Sequence, residues 1–366
     1  MNITRRLFVS QIAAIPAALL AAKSALADTA PFDFLVVGDS LVWGQGLPEA
    51  DKFYELTREW LGTEAYGGDG GVRMKVKAHS GATLKFHEEE EAAFKRIGRD
   101  PNVMLDPEIN VGFPSIEAQL ENAVREYADP RSVKLIMVSG GITDISVAGI
   151  LNPFGKNDQL VAEIDKYCGV TMTDILRRAA ELFPEALVAV IGYYPMISSK
   201  TPTHAIFNFA LEAYGSPRFL KPMANNVVTR HFLRQVGRKA VRRSTIWAER
   251  SRLKLMESID AVNTASKSVR AVYIETPITT ENTDGTNGTL VFRMLKKGRI
   301  EDAMFDHRQQ VCTPALKELN KQTGFKYRSK FCDYAAVGHP NPAGSRAYAE
   351  IIKTTLRPLL NERLVK

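Results

Sequence analysis

Phe34-Leu35-Val36-Val37-Gly38-Asp39-Ser40-Leu41, near the start of the 366-residue chain, decides the fold. Four consecutive apolar residues, two of them β-branched, read as a strand covered on both faces. The run stops at Gly-Asp-Ser, so Ser40 is carried at the strand's C-terminal end, the edge where open parallel sheets bind ligands. Gly38 lets the backbone turn sharply, and Ser40 stands at the entrance to whatever helix follows. Ser40 is therefore a candidate nucleophile. The competing reading is an ordinary Asp-Ser turn.

Four later segments repeat the pattern of a strand ending in small or polar residues. Val72 to Ala78 alternates and ends at His79-Ser80-Gly81-Ala82-Thr83. Val133 to Val138 is nearly all apolar and runs into Ser139-Gly140-Gly141-Ile142-Thr143-Asp144. Ala186 to Ile191 ends at Gly192-Tyr193-Tyr194-Pro195, and Ala271 to Glu275 precedes Thr276-Pro277. Helical spacing lies between them: Phe53, Leu56, Trp60 and Leu61; the amphipathic stretch Ile116 to Tyr127; and Gln159 to Phe183, with Ile164, Val170, Ile175, Leu176 and Ala179 facing the sheet. Glu301 to Val311 is charged and helical in pattern, and a last helix runs from about Ser345 to Leu356. Strands alternating with helices predict an α/β chain: a three-layer, flavodoxin-like α/β/α fold on a central, mostly parallel sheet of about five strands. Right-handed crossovers would bring the strand C-termini to one rim.

Composition places the chain among soluble globular proteins, with 45% apolar and 24% charged residues. Residues 1–27 have the anatomy of an export signal: Arg5 and Arg6, the apolar run Leu7 to Ala22, and a small-residue cleavage site at Ala25-Leu26-Ala27. Thr4-Arg5-Arg6-Leu7-Phe8 is similar to the twin-arginine signal of bacteria, which implies a periplasmic or secreted protein; an uncleaved anchor is the alternative. Residues 28–366 then form a single domain with an inserted basic helical segment at about 200–256. Arg5, Arg6 and Lys23 supply three of the seven net positive charges, leaving +4, too mild to argue for a nucleic-acid partner. The inserted segment interleaves Arg230, Arg234, Arg238, Lys239, Arg242 and Arg243 with Phe232, Leu233, Val236 and Val241, after Phe207, Phe209 and Leu211. It reads as a surface helix packed by its apolar stripe or as a cap over the site, with contact to an anionic membrane surface left open.

The three cysteines are Cys168, Cys312 and Cys332. In an oxidising compartment Cys312 and Cys332 are the candidate disulfide, because both lie close to the C-terminal motif, which leaves Cys168 as a free thiol. No Cys/His spacing suggests a metal, and no cofactor is expected. His87-Glu88-Glu89-Glu90-Glu91 lacks the second histidine of a His-Glu-x-x-His site and reads as a solvated helix face. Residues from Ile97 to Pro114 read as an irregular surface loop.

Taken in order, four blocks resemble the SGNH (GDSL-type) hydrolase superfamily over the span from about Phe32 to Leu360. Gly38-Asp39-Ser40-Leu41 is similar to its nucleophile block and Gly81 to the glycine of its second block. Gly141-Ile142-Thr143-Asp144 stands where the family has Gly-x-Asn-Asp, and His339-Pro340-Asn341 with Gly344 is similar to its histidine block. The resemblance implies a serine esterase, with Ser40 as nucleophile and His339 as base. It implies an oxyanion hole made by the backbone N–H groups of Ser40 and Gly81 and the side chain at Thr143. Asp39 and Asp144 would brace their loops. The implied substrate is a small-molecule, lipid or glycan ester, cleaved by a lipase, esterase or deacetylase.

Two positions depart from the pattern. Thr143 replaces the family's Asn, and its hydroxyl is shorter than an amide. The family's acid, three residues before the histidine, is here Ala336. Asp333, six residues before His339, is the nearest upstream acid; otherwise a backbone carbonyl orients the imidazole in a Ser40–His339 dyad. A catalytically weakened binding protein on the same fold, and an O-acyltransferase, are the rival readings. Oligomeric state is not encoded legibly.

Overall fold

A computed structural model of the chain describes residues 31–64, 66, 71–100, 102–202, 227–293 and 302–364, with side chains described from 234 onward in the helix that begins at 227 and none at 364. The export segment and Phe207, Phe209, Leu211, Arg230, Phe232 and Leu233 of the basic segment lie outside that description.

The chain begins with β1 (Phe32–Gly38), α1 (Ser40–Trp43), α2 (Phe53–Thr63), β2 (Val72–Val76), α3 (Glu88–Arg96) and α4 (Ile116–Val124). It continues with β3 (Val133–Ser139), the short α5 (Ile142–Ile145) and α6 (Val147–Leu151), α7 (Asn157–Ile164), α8 (Met172–Leu182) and β4 (Leu187–Ile191). Then come α9 (Val227–Ser266), β5 (Ala271–Ile274), α10 (Phe305–Thr323), α11 (Lys330–Tyr334) and α12 (Pro342–Leu364). The strands form one sheet in the order β2-β1-β3-β4-β5, every neighbour parallel. This is a three-layer α/β/α fold. α2 and α12 pack together, while α4 packs on α8 and α8 on α9.

Strand composition follows position. β1, β3 and β4 are inside the sheet and almost wholly buried, hence their unbroken apolar runs. β2 is an edge strand with Arg73 exposed, hence its alternation. Gly38 at the end of β1 pairs in register with Ser139 at the end of β3, so the turns that follow both strands emerge side by side.

Three expectations are corrected. Gln159 to Phe183 is not one regular helix, because a π-helical stretch, Asp165–Thr171, joins α7 to α8. Its wider turn rotates the helix face, and Val170, expected against the sheet, is 68% exposed. The segment from 97 to 114 is not simply a surface loop. Ile109, Val111 and Phe113 are buried with Phe94, Leu316 and the Cys312–Cys332 bridge in a second apolar cluster. Finally α10 and α12 run well beyond their expected ends, α12 through Pro358.

The described part of the basic segment packs by an apolar stripe. Ala240, Trp247, Leu255, Ile259 and Val262 of α9 are buried at helical spacing. Arg243 of the same helix is buried too, and donates to the carbonyls of Gly149, Ile150, Gly155 and Lys156. A guanidinium with five donors can satisfy such a cluster of carbonyls from the end of α6 and the loop before α7; a lysine could not.

Candidate active site

The site starts at Gly38. Its φ is +138°, and a Cβ there would lie 2.6 Å from the Ser139 carbonyl oxygen, so only glycine lets the ends of β1 and β3 approach this closely. Gln119 of α4 fixes the same peptide. Its Oε1 accepts from Gly38 N–H at 2.7 Å, and its Nε2 donates to the carbonyls of Gly38 at 3.1 Å and Pro114 at 3.2 Å. Asp39, fully buried, caps α1: its Oδ1 accepts from Leu41 N–H at 3.0 Å and Ser139 Oγ at 2.6 Å, and its Oδ2 accepts from Tyr193 Oη. Burial pushes the Asp39 carboxyl above its ordinary range, against the lowering effect of those donors. Asp39 is thus committed to the turn beneath Ser40.

Ser40 Oγ lies 2.7 Å from His339 Nε2, across 299 residues of sequence. With Oγ donating, Nε2 is the acceptor and the ring proton belongs on Nδ1. The loop carrying His339 is clamped to the segment 289–292. Phe292 N–H donates to the His339 carbonyl at 2.8 Å, Gly338 N–H to the Phe292 carbonyl at 2.9 Å, and Asn341 N–H to the Leu290 carbonyl at 2.9 Å. Asn341 works in both directions: Nδ2 donates to the Thr289 carbonyl at 2.9 Å, and Oδ1 accepts the first free N–H groups of α12, those of Ala343 and Gly344, each at 3.0 Å. Tyr194 Oη donates to the Gly338 carbonyl at 2.8 Å.

His339 Nδ1 is enclosed and makes no hydrogen bond to any described residue. The carbonyls of Ala336, Ala335 and Val337 face the ring and favour its protonated form, without completing a bond to Nδ1. Burial outweighs them, and with the nearby positive charge of Arg308 it lowers the His339 pKa to about 4. The Nε2 edge meanwhile reaches the cavity, and the residue as a whole is half-buried.

The structure does not bring Asp333 to His339. It sits on α11, where its Oδ1 accepts from Gln309 Nε2 at 3.0 Å and its Oδ2 pairs with Lys330 Nζ at 3.3 Å. A helix holds that side chain on the side facing α10, so the loop does not bulge to swing it inward. Ala336, at the position of the family's acid, is buried in a small apolar cluster with Leu47 and Phe292.

Gly81 follows β2 with φ +83°, and a Cβ on it would lie 2.5 Å from Asn110 Oδ1 and 2.6 Å from Val111 N. Neither its N–H nor that of Ser40 donates to another described residue, which leaves both free for an oxygen in the cavity. Thr143 stands in the first turn of α5, beside Asp144, whose two carboxylate oxygens each accept from Leu84 N–H at 3.2 Å. Asp144 therefore ties the Thr143 turn to the segment that carries Gly81. Burial raises its pKa to about 7. Ser40, His339, Gly81 and Thr143 all line one cavity of 380 Å³. Leu41, Ile142, Val147, Leu151, Met196 and Trp247 make much of its wall, and His87, Glu90 and Tyr327 add a polar sector. His87 and Glu90 thus belong to the cavity, while Glu88 and Glu89 are the solvated part of that acidic run.

Two supports were not legible beforehand. Gln119 is one. The other is a buried ion pair: Arg308, 0% exposed, donates to Glu108 Oε2 at 2.8 Å, to the Cys332 carbonyl at 2.8 Å and to Asp302. Glu108, 1% exposed, also accepts from Trp43 Nε1 at 2.8 Å and Gln45 Nε2 at 2.6 Å. This network ties the loop behind Ser40 to α10 and α11, which the Cys312–Cys332 bridge joins covalently. Cys168 is a buried free thiol beneath Gly141, its pKa pushed up by burial. Among the described residues no cluster of His, Cys, Asp or Glu is placed to hold a metal, and no helix is long and apolar enough to cross a membrane.

No protein-family model matches the chain, and neither does any curated protein. Among solved structures it is similar to phospholipase A1 from Streptomyces albidoflavus NA297, at 13% identity over 89% of this chain and 99% of that one, with a TM-score of 0.42. It is also similar to an extracellular lipase from Streptomyces rimosus, at 10% identity over 88% and 99%, with a TM-score of 0.41. A carbohydrate acetylesterase family member from Sinorhizobium meliloti matches at 12% identity over 90% and 99%, with a TM-score of 0.38. At such identities and scores the chemistry rests on the site itself: a hydroxyl hydrogen-bonded to an imidazole whose pKa burial lowers, with Gly81 lining the same cavity.

Proposed function

We propose that the chain is a serine hydrolase of carboxylic esters that works through an acyl-enzyme on Ser40. The observation that carries this reading is the 2.7 Å contact between Ser40 Oγ and His339 Nε2 at the C-terminal rim of the sheet. In the first half-reaction Oγ attacks the ester carbonyl carbon while Nε2 takes its proton. The carbonyl oxygen, now negative, accepts from the N–H groups of Ser40 and Gly81. Collapse breaks the carbon–oxygen bond to the alcohol, and Nε2–H returns its proton to the departing alkoxide. In the second half, Nε2 takes a proton from water, hydroxide adds to the acyl carbon, and collapse breaks the bond to Oγ and releases the carboxylic acid, while Nε2–H returns its proton to Oγ and restores Ser40. With Asp333 turned elsewhere, the pair operates as a dyad, and Asp39 and Asp144 serve as braces.

The apolar wall supports an acyl or aryl group as the part of the substrate held nearest Ser40. A lipid or glycan ester fits the reading as well as a small molecule does. Export through residues 1–27 belongs to the same proposal, and the Cys312–Cys332 bridge supports an oxidising destination. A panel of nitrophenyl esters of graded chain length, run on wild type and Ser40→Ala, tests the activity. Turnover that falls by at least a thousandfold in the variant is expected. Equal turnover by both proteins would defeat the proposal.

A further inference from the structure

The oxyanion hole as the resemblance implies it is short of a donor, since Thr143 offers one hydroxyl where the family has a longer amide. One carboxamide side chain, that of Asn110, does line the same cavity. Asn110, itself exposed, lies between the buried residues Ile109 and Val111, and its side chain is placed against Gly81: its Oδ1 is 2.5 Å from the point where a Gly81 Cβ would stand. The segment that carries it is fastened to the Gly81 turn from both sides. Val111 N–H donates to the Ser80 carbonyl at 3.1 Å, and Thr83 N–H and Oγ1 donate to the Gly112 carbonyl at 3.2 and 2.9 Å. The Asn110 carboxamide itself makes no hydrogen bond to another described residue, so a half-turn about χ2 exchanges its oxygen and nitrogen without breaking any contact of this kind.

We propose that Asn110 supplies the side-chain N–H of the oxyanion hole, beside the N–H groups of Ser40 and Gly81, in the role for which Thr143 is too short. This rests on the acyl-enzyme reading above. The carboxamide nitrogen donates to the carbonyl oxygen as it becomes negative and is not needed while the ester is neutral. Its removal therefore lowers kcat more than it raises KM. The same contact explains why position 81 is glycine, since a methyl group there would displace both the carboxamide and the Val111 backbone.

The test uses Asn110→Ala and Asn110→Asp, the latter nearly isosteric but without an N–H. Both should lower kcat on a short nitrophenyl ester by about 100- to 1000-fold, the cost of one oxyanion donor, with KM within about threefold. Affinity for a trifluoromethyl ketone, which forms an anionic tetrahedral adduct with the serine, should fall in step while Tm stays within about 2 °C; a residue that merely supports the loop would move Tm instead. Asn110→Ala combined with Thr143→Asn should recover at least tenfold in kcat. Ser40-dependent hydrolysis that survives both single substitutions within threefold would overturn this assignment and leave the proposed function standing. A wild-type protein with no Ser40-dependent hydrolysis would overturn both.

Discussion

Acidifying the assay to pH 5 should leave ester hydrolysis almost intact, because the base is already stripped of its proton there. A serine–histidine pair works only while Nε2 is unprotonated, so the acid limb of kcat/KM reports the histidine's pKa in the free protein. Burial lowers that value in His339 to about 4, and the charge of Arg308 acts in the same direction. At pH 5 an imidazole at about 4 is roughly 90% neutral, whereas one at the ordinary value of about 6.5 is roughly 3% neutral, a thirtyfold difference in competent protein. The assay is a pH-stat or fluorogenic measurement of kcat/KM from pH 3.5 to 9 with initial rates. Asp144, raised to about 7 by burial, titrates in the region that matters, so the profile is repeated with Asp144→Asn. A limb near pH 6.5 that persists in that variant and in His87→Gln and Glu90→Gln belongs to His339. It would refute the argument that enclosure without an acid partner sets this residue's basicity.

Two further outcomes follow from the geometry. Asp333→Ala should change kcat/KM by less than threefold, since that carboxylate is engaged with Gln309 and Lys330; a hundredfold loss would mean that it reaches His339 during turnover. Gln119→Leu leaves the buried Gly38 N–H without its acceptor and should cost about 1–3 kcal/mol in urea unfolding, with an effect under about 0.5 kcal/mol contradicting its assigned role.

The parts of this molecule that were legible are those with a local signature. The run from Phe34 to Val37 reads as a covered strand, and the glycines and polar residues closing β1, β2 and β3 point to one rim because right-handed crossovers between parallel strands bring their C-terminal ends together. His339 was marked by the Pro, Asn and Gly beside it, which the structure explains through the Asn341 cap and the clamp to residues 289–292. Illegible features depended on partners far away in sequence. Glu108 and Arg308 are 200 residues apart, and nothing near either predicts that they meet in the interior. Asp333 was considered for its proximity to His339 along the chain, yet helix geometry turned it toward α10. Asn110 does carry a local signal. Ile109, Val111 and Phe113 alternate with it, a period-two pattern that marks an extended segment with one buried face, which leaves Asn110 on the face that meets the cavity. The last helix was expected to end at about Leu356, while α12 continues through Pro358 to Leu364.

The central claim is that Ser40 is a nucleophile activated by His339, and intact-protein mass spectrometry after treatment with a fluorophosphonate measures it most directly. The account predicts one phosphonyl adduct at neutral pH, located on Ser40 by peptide mapping, absent from Ser40→Ala and formed at least a hundredfold more slowly by His339→Ala. No adduct, or an adduct that forms equally fast without His339, would contradict it.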